Sequence, residues 1–278
     1  MMPTSTPVSP FGSMSRRMAF LLALTLPAFT GCTSSGSSES HDALSVLSAA
    51  MAESRSSAAL ASLETTGYVD GPSTIDGIGR YYRGREISHV MGHLGAGWLE
   101  RPTREQEERT DLLLDFLTGL GGTTVADIGV GTGYFALPWA RRLDGGRVLG
   151  VDIQPEMLDI LASRVAEEGL TNVEGVLGRI DDPRLPQGEV DVVLIVDAYH
   201  EFSAPREMLA GIEQALRPGG RLVLVEYRGE DPLVPIKELH KMTEEQAITE
   251  VELAGLEWVV TEDFLPQQHV MIFEKPVG

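Results

Sequence analysis

Three glycines at alternate positions, Gly129, Gly131 and Gly133, follow the apolar run Val125-Ala126-Asp127-Ile128 and precede Tyr134-Phe135-Ala136-Leu137. The pattern predicts a buried strand, a sharp turn and a helix, because glycine alone lets the backbone turn freely and come close to a ligand. The free N–H groups and positive dipole end of the helix then face whatever rests on the turn. A dinucleotide fingerprint would need a third glycine at position 134, where Tyr134 stands, so a nicotinamide cofactor is disfavoured.

Downstream, strands and helices alternate: helix Tyr134 to Arg142, strand Arg147 to Val151, helix Pro155 to Glu168, strand Val173 to Leu177, strand Val190 to Val196, helix Pro205 to Leu216 and strand Arg221 to Tyr227. A Leu-Arg-Pro-Gly-Gly turn precedes the last of these. Such alternation implies right-handed crossovers and a parallel sheet. Thr243 and Gln246 suggest a capping box for a further helix to Leu253, and Trp258 to Thr261 and His269 to Phe273 read as closing strands. Upstream, Thr103 and Gln106 open one continuous helix to Leu120, whose Glu105, Glu107 and Glu108 read as a solvated face. The expected fold class is α/β: a seven-stranded, mostly parallel, doubly wound sheet over residues 121–278, with an N-terminal helical lid and helix over 75–120.

The G-x-G-x-G turn after Asp127, the Val148-Leu149-Gly150-Val151-Asp152 strand and the Leu-Arg-Pro-Gly-Gly turn together resemble the class I S-adenosylmethionine (SAM) dependent methyltransferases, over roughly residues 75–278 on the usual size of a domain. The resemblance implies SAM as cofactor and a last strand inserted antiparallel. It also implies that Asp127 lies near the methionine end, that Gly129, Gly131 and Gly133 pass under the ligand, and that Asp152 accepts both ribose hydroxyls, with Ile153 beside it. Asp152 stands nineteen residues after Gly133. Asp181, in Gly178-Arg179-Ile180-Asp181-Asp182, is expected at the adenine amino group, with Asp182 as the alternative.

In open α/β sheets ligands bind beyond the carboxyl ends of the strands, so Asp197-Ala198-Tyr199-His200-Glu201-Phe202 should face the reacting methyl group, with Asp197 among the cofactor contacts. Relatives that methylate DNA or protein amides carry prolines here; this chain has His200, able to take a proton near neutral pH. His200 and Tyr199 are the catalytic candidates. His240 is a second base candidate, and Tyr81 and Tyr82 suit a lid closing over the acceptor. His89 and His93 lack a third nearby ligand, and no metal is expected. The acceptor is expected to be a small molecule, methylated on oxygen or carbon. A rival reading, an anchored SAM-binding module without transfer, needs Asp127, Gly131 and Asp152 but neither a base nor a lid.

A net charge of −19 repels polyanions, which argues against nucleic acid as acceptor. The only cysteine, Cys32, excludes an intramolecular disulfide and any catalytic thiol downstream. It follows Arg16-Arg17, the apolar run Met18 to Leu26 and Phe29-Thr30-Gly31, a stretch that resembles a bacterial lipoprotein signal over 1–32. That resemblance implies lipidation of Cys32 and membrane anchoring in the cell envelope; without processing, the protein stays in the cytoplasm, where SAM is made. Residues 33–74 are expected to form a Ser/Ala-rich tether.

Overall fold

The computed structural model describes residues 61–278 together with Ser48, Met51 and Ser54. The expected signal sequence with Cys32 and most of the expected tether lie outside the described residues. Within them, regular structure precedes the expected boundary at 75: residues 61–66 are helical and β1 (Tyr68–Asp70) follows at once.

The segment expected to be a helical lid is instead a small antiparallel sheet of β1, β2 (Gly77–Tyr82) and β3 (Arg85–Ser88). The physical reason is the two-residue link Arg83–Gly84, which takes φ values of 50° and 92°. Two successive left-handed residues match the twist of a tight hairpin and cannot continue a helix. Tyr82 is buried with Tyr68 and Ile87, whereas Tyr81 turns outward and donates its hydroxyl to the Pro72 carbonyl at 2.8 Å.

A covering segment follows: α1 (Ala96–Leu99), α2 (Arg104–Glu108) and α3 (Thr110–Leu120). The single helix expected from Thr103 to Leu120 is broken at Arg109, whose φ is 54°. The break gives the two pieces different tasks. α2 buries Arg104 and Glu108, while α3 buries Leu113, Leu114 and Leu117. Glu108, expected in a solvated face, is thus an interior residue.

The main sheet contains β4 (Thr124–Ile128), β5 (Arg147–Asp152), β6 (Val173–Leu177), β7 (Val190–Val196), β8 (Leu216–Arg228), β9 (Lys241–Met242), β10 (Glu257–Glu262) and β11 (Gln268–Glu274). Seven strands run in the order β10-β11-β8-β7-β4-β5-β6, and the two-residue β9 pairs with β8. β11 is antiparallel to both β10 and β8; the pairs from β8 through β6 are parallel. The Leu-Arg-Pro-Gly-Gly stretch does not form a separate turn but opens the thirteen-residue β8. Helices α4 (Ala136–Arg142), α5 (Pro155–Glu167), α6 (Pro205–Ala215) and α7 (Glu244–Glu252) complete the chain. At α7 the expected cap is present: the Thr243 side chain accepts the Gln246 N–H at 3.2 Å.

Side chains alternate along each strand, so the sheet has two apolar faces. Val125, Val148, Val192 and Leu194 meet Leu113, Leu117, Trp139 and Leu161 on one side, while Ala126, Leu149, Val193 and Ile195 meet Met208, Leu209, Ile212 and Val251 on the other. Burial on both faces is why the centre strands read as continuous apolar runs. Strand order reverses at β4, which pairs with β5 on one side and β7 on the other. That is the position where an open α/β sheet forms a crevice beyond its strand ends.

Candidate active site at the strand ends

A cavity of about 490 Å³ lies at that reversal. The glycine turn forms its floor. Gly129, Gly131 and Gly133 all have positive φ, at 77°, 52° and 84°, the region that favours glycine. A side chain at 131 would also meet Leu99 of the covering segment, 2.6 Å from where its Cβ would sit. Gly129 and Gly131 line the cavity; Gly133 lies against Leu161 and Leu137 behind the wall.

Asp152 ends β5 and enters the cavity beside Ile153 and Gln154. Its two oxygens accept backbone N–H groups from Gly131 at 3.0 Å and Gln154 at 2.9 Å. Burial raises its pKa, against the lowering effect of those bonds. Asp127 is wholly buried beneath the turn and does not reach the cavity wall; burial pushes its pKa up to about 7, opposed by Arg104 and reinforced by Asp152.

Asp197, at the end of β7, occupies the left-handed region with φ 48°. One oxygen accepts from Gln268 at 3.1 Å; the other, Oδ1, is buried without a partner, and the residue lines the cavity. A non-glycine residue held in this conformation, with an unsatisfied acceptor, is strain of the kind that marks ligand sites. Burial first, then the neighbouring Glu108 and Glu226 carboxylates, raise its pKa well above the usual range.

The turn Tyr199–Glu201 then sends adjacent side chains in opposite directions. Tyr199, expected at the catalytic centre, is buried in the core and donates to Glu250 at 2.7 Å. His200 faces the cavity. Its Nδ1 lies 2.6 Å from Glu226 Oε2, and its backbone N–H donates to Glu226 Oε1 at 3.2 Å. Glu226 is fully buried on β8. A carboxylate offers only acceptors, so Nδ1 carries the proton and Nε2 presents a lone pair. His240 stands beside it, with Nδ1 3.0 Å from His200 Nε2, and burial first, then His200, lowers its pKa to about 4. Both histidines singled out in the sequence thus line the cavity, while Glu226, which is not among the candidates, is brought under them by the parallel pairing of β7 and β8.

The remaining candidates stand apart. Tyr81 and Tyr82 are outside the cavity, and the cover is built instead from Val90, Met91, Trp98, Leu99, Arg101 and Arg104. Gln154 clamps that cover from below, accepting the His93 N–H at 2.8 Å and donating to the Met91 carbonyl at 3.0 Å. Glu108 ties it to the sheet: it accepts from Arg104 at 3.0 Å, from the Tyr227 hydroxyl at 2.8 Å and from Arg101. Asp181 pairs with Arg179 at 3.3 Å, half exposed, and Ile180 rather than Asp181 reaches the cavity.

Residues 125–220 match the family model described as a methyltransferase domain. Over 156 residues the chain is 26% identical to an uncharacterized methyltransferase of Bacillus subtilis, YcgJ, covering 55% of this chain and 61% of the relative. It is 36% identical over 113 residues to the nocamycin O-methyltransferase of Saccharothrix syringae, covering 40% of each. The chain therefore spans only part of the curated relatives it matches. The crystal structure of a SAM-dependent methyltransferase from Aquifex aeolicus superposes with a TM-score of 0.62 at 21% identity, covering 67% of this chain and all of that one. Residues 125–220 thus match a methyltransferase domain, and the sheet around them has the fold of a solved SAM-dependent methyltransferase, whose cofactor is S-adenosylmethionine.

The cavity fits that cofactor by its own chemistry. Asp152 retains acceptor capacity toward a diol after receiving two backbone N–H groups, because a carboxylate has about four lone-pair sites. The orphaned Asp197 Oδ1 awaits a donor such as an ammonium group. The glycine backbone leaves room for close approach, and the carboxylates of Asp152 and Asp197 in the lining suit a ligand that carries positive charge.

Proposed function

We propose that this protein transfers the methyl group of S-adenosylmethionine to a small-molecule acceptor, with oxygen the favoured atom. The observation that carries the proposal is His200, turned toward the cavity with its tautomer set by Glu226. When bound, the cofactor supplies a methyl group already activated on a positive sulfur. The protein then has to hold the acceptor in line with it, keep water out and remove one proton.

His200 Nε2 takes that proton, and the buried Glu226 carboxylate stabilises the imidazolium that results. His240, held neutral at ordinary pH, can pass the proton outward in the tautomer that leaves its Nδ1 unprotonated. Val90, Met91, Trp98, Pro235 and Ile236 give the acceptor side an apolar lining, which suits a small organic molecule better than a polyanion. The similarity to an O-methyltransferase supports oxygen as the acceptor atom.

Calorimetric titration with SAM, its demethylated product and NAD, followed by a screen of phenols and quinols with mass detection, tests this reading. Binding of the two sulfur ligands but not NAD, and a gain of one methyl group on an acceptor, is the expected result. Binding of NAD, or of neither sulfur ligand, overturns it.

The envelope location is also proposed, on the Phe29-Thr30-Gly31-Cys32 stretch. Cells fed labelled palmitate should yield labelled membrane-bound protein that Cys32→Ser releases unlabelled; unlabelled soluble protein in the wild type rejects anchoring. Among the described residues no helix is long and apolar enough to cross a membrane.

A further inference from the structure

The acceptor side of the cavity holds more than a base. His200 Nε2 lies 3.0 Å from His240 Nδ1 and 3.8 Å from Glu201 Oε1, and His240 Nδ1 lies 3.7 Å from the same Glu201 oxygen. Three donor atoms thus form a small triangle at the cavity wall. A point equidistant from all three lies about 2.1 Å from each, which is the length of a zinc–imidazole or zinc–carboxylate bond. We propose that His200, Glu201 and His240 form a binding site for one divalent transition metal of the zinc type.

Two of the three donors are already oriented by a neighbour. Glu226 holds the His200 ring from its far nitrogen at 2.6 Å, the carboxylate–histidine support that metal-ligating imidazoles need. Glu201 accepts the Met91 N–H on Oε2 at 3.1 Å, which leaves Oε1 turned to both imidazoles. The charge balance points the same way. Glu226 and Glu201 are two carboxylates, one fully buried and one mostly so, and among the described residues neither is bonded to a lysine or arginine. Arg85, the nearest buried cation, is held by Glu250 at 2.9 Å, and Lys237 at the rim pairs with Asp76. A doubly charged cation between two neutral imidazoles satisfies both carboxylates at once.

The donor set selects the metal. Two imidazoles and one carboxylate suit zinc, cobalt or ferrous iron better than magnesium or calcium, which prefer oxygen ligands. Three protein donors leave a position open toward the cavity, where a coordinated acceptor hydroxyl becomes more acidic. Coordination uses the lone pair that otherwise accepts a proton at His200, so a loaded cation and a proton-accepting His200 are alternative states of one atom. The metal site stands independently of the proposed transfer, because it is read on the protein alone.

Equilibrium dialysis of tag-free protein against Zn²⁺ should show one bound equivalent, and Co²⁺ in its place should give the visible absorption of a four- or five-coordinate site. His240→Ala and Glu201→Gln should each weaken binding at least tenfold, and Glu226→Gln about 10- to 100-fold. His93→Ala, whose imidazole sits by Glu156 at 4.0 Å, should bind as the wild type does. Unchanged SAM binding identifies variants that have folded. X-ray absorption at the metal edge of the loaded wild type needs no variant and should count two imidazole ligands. No retained metal, equal affinity in His240→Ala and Glu201→Gln, or fewer than two imidazoles overturns the site; failure of methyl transfer leaves it standing.

Discussion

The cofactor half of the cavity is made of backbone and the acceptor half of side chains. Gly129, Gly131 and Asp152 belong to two neighbouring strand ends, and their geometry follows from the parallel pairing of β4 with β5. His200, Glu201, Glu226 and His240 come from three separate stretches, and the cover over them comes from a fourth. Burial acts alike on the two halves, raising their acids, Asp127, Asp152 and Glu201, and lowering the His240 imidazole, each toward its neutral form. One half is a preformed mould for a charged ligand, while the other keeps neutral lone pairs ready for a proton or a cation.

The sharpest way to test that division is to remove the base. His200→Ala should lower kcat about 10²- to 10⁴-fold, the usual contribution of a positioned proton acceptor. The SAM dissociation constant should stay as in the wild type, read by calorimetry. An equal loss of SAM affinity would erase the distinction between the halves. The reciprocal change, Asp152→Ala, should cost about 1.5–3 kcal/mol of SAM binding, roughly 10- to 150-fold, because a diol loses an ionised acceptor. Unaltered affinity would place the ribose elsewhere.

Asp127 tests the electrostatic side of the comparison in the ligand-free protein. Its pKa is raised from 3.8 to about 7, chiefly by burial. The protonated form is therefore favoured in the folded state, so this contribution to stability is complete below pH 3.8 and is lost as pH rises through about 7. Asp127→Asn cannot ionise. Between those limits the stability of the wild type relative to the variant should fall by about 1.4 kcal/mol per pH unit, measured by urea unfolding. A flat difference would mean that Asp127 is ionised in the folded protein throughout.

The same division decides what could be read before the structure was in hand. The strand, the glycine turn and Asp152 are close in sequence, and each follows from a local rule of backbone geometry or strand ends. Alternating strands and helices made the mostly parallel sheet legible for the same reason, whereas the strand order rests on distant pairings. The acceptor side depends on contacts between distant residues. His200 was visible by residue type, but the neighbouring Tyr199 was not separable from it until the turn sent one ring to Glu250 and the other to the cavity. Glu108 read as solvent-facing because its partner Tyr227 lies 119 residues away. The β2–β3 hairpin did carry a local signal, Arg83–Gly84 between two strand-like runs, beside aromatic residues that equally suit a lid.

The smallest expected effect concerns the joint between the halves. Gln154 follows Asp152 directly on the cofactor side, yet its side chain holds the cover through the His93 N–H at 2.8 Å and the Met91 carbonyl at 3.0 Å. Met91 in turn donates its N–H to Glu201, so one short segment reports on both halves. Gln154→Ala removes two neutral hydrogen bonds, each worth about 0.5–1.5 kcal/mol net, from a part of the chain that can open without global unfolding. Amide exchange over residues 90–95 should therefore quicken by roughly fivefold, the equivalent of about 1 kcal/mol, while exchange in β4 and β7 stays unchanged. The KM for SAM should rise a few-fold with kcat nearly constant, since the cover excludes water and His200 keeps its own support from Glu226. If kcat fell instead and KM held, the cover would belong energetically to the acceptor half alone, and Gln154 would be a strut of the catalytic turn rather than a clamp between two ligand sites.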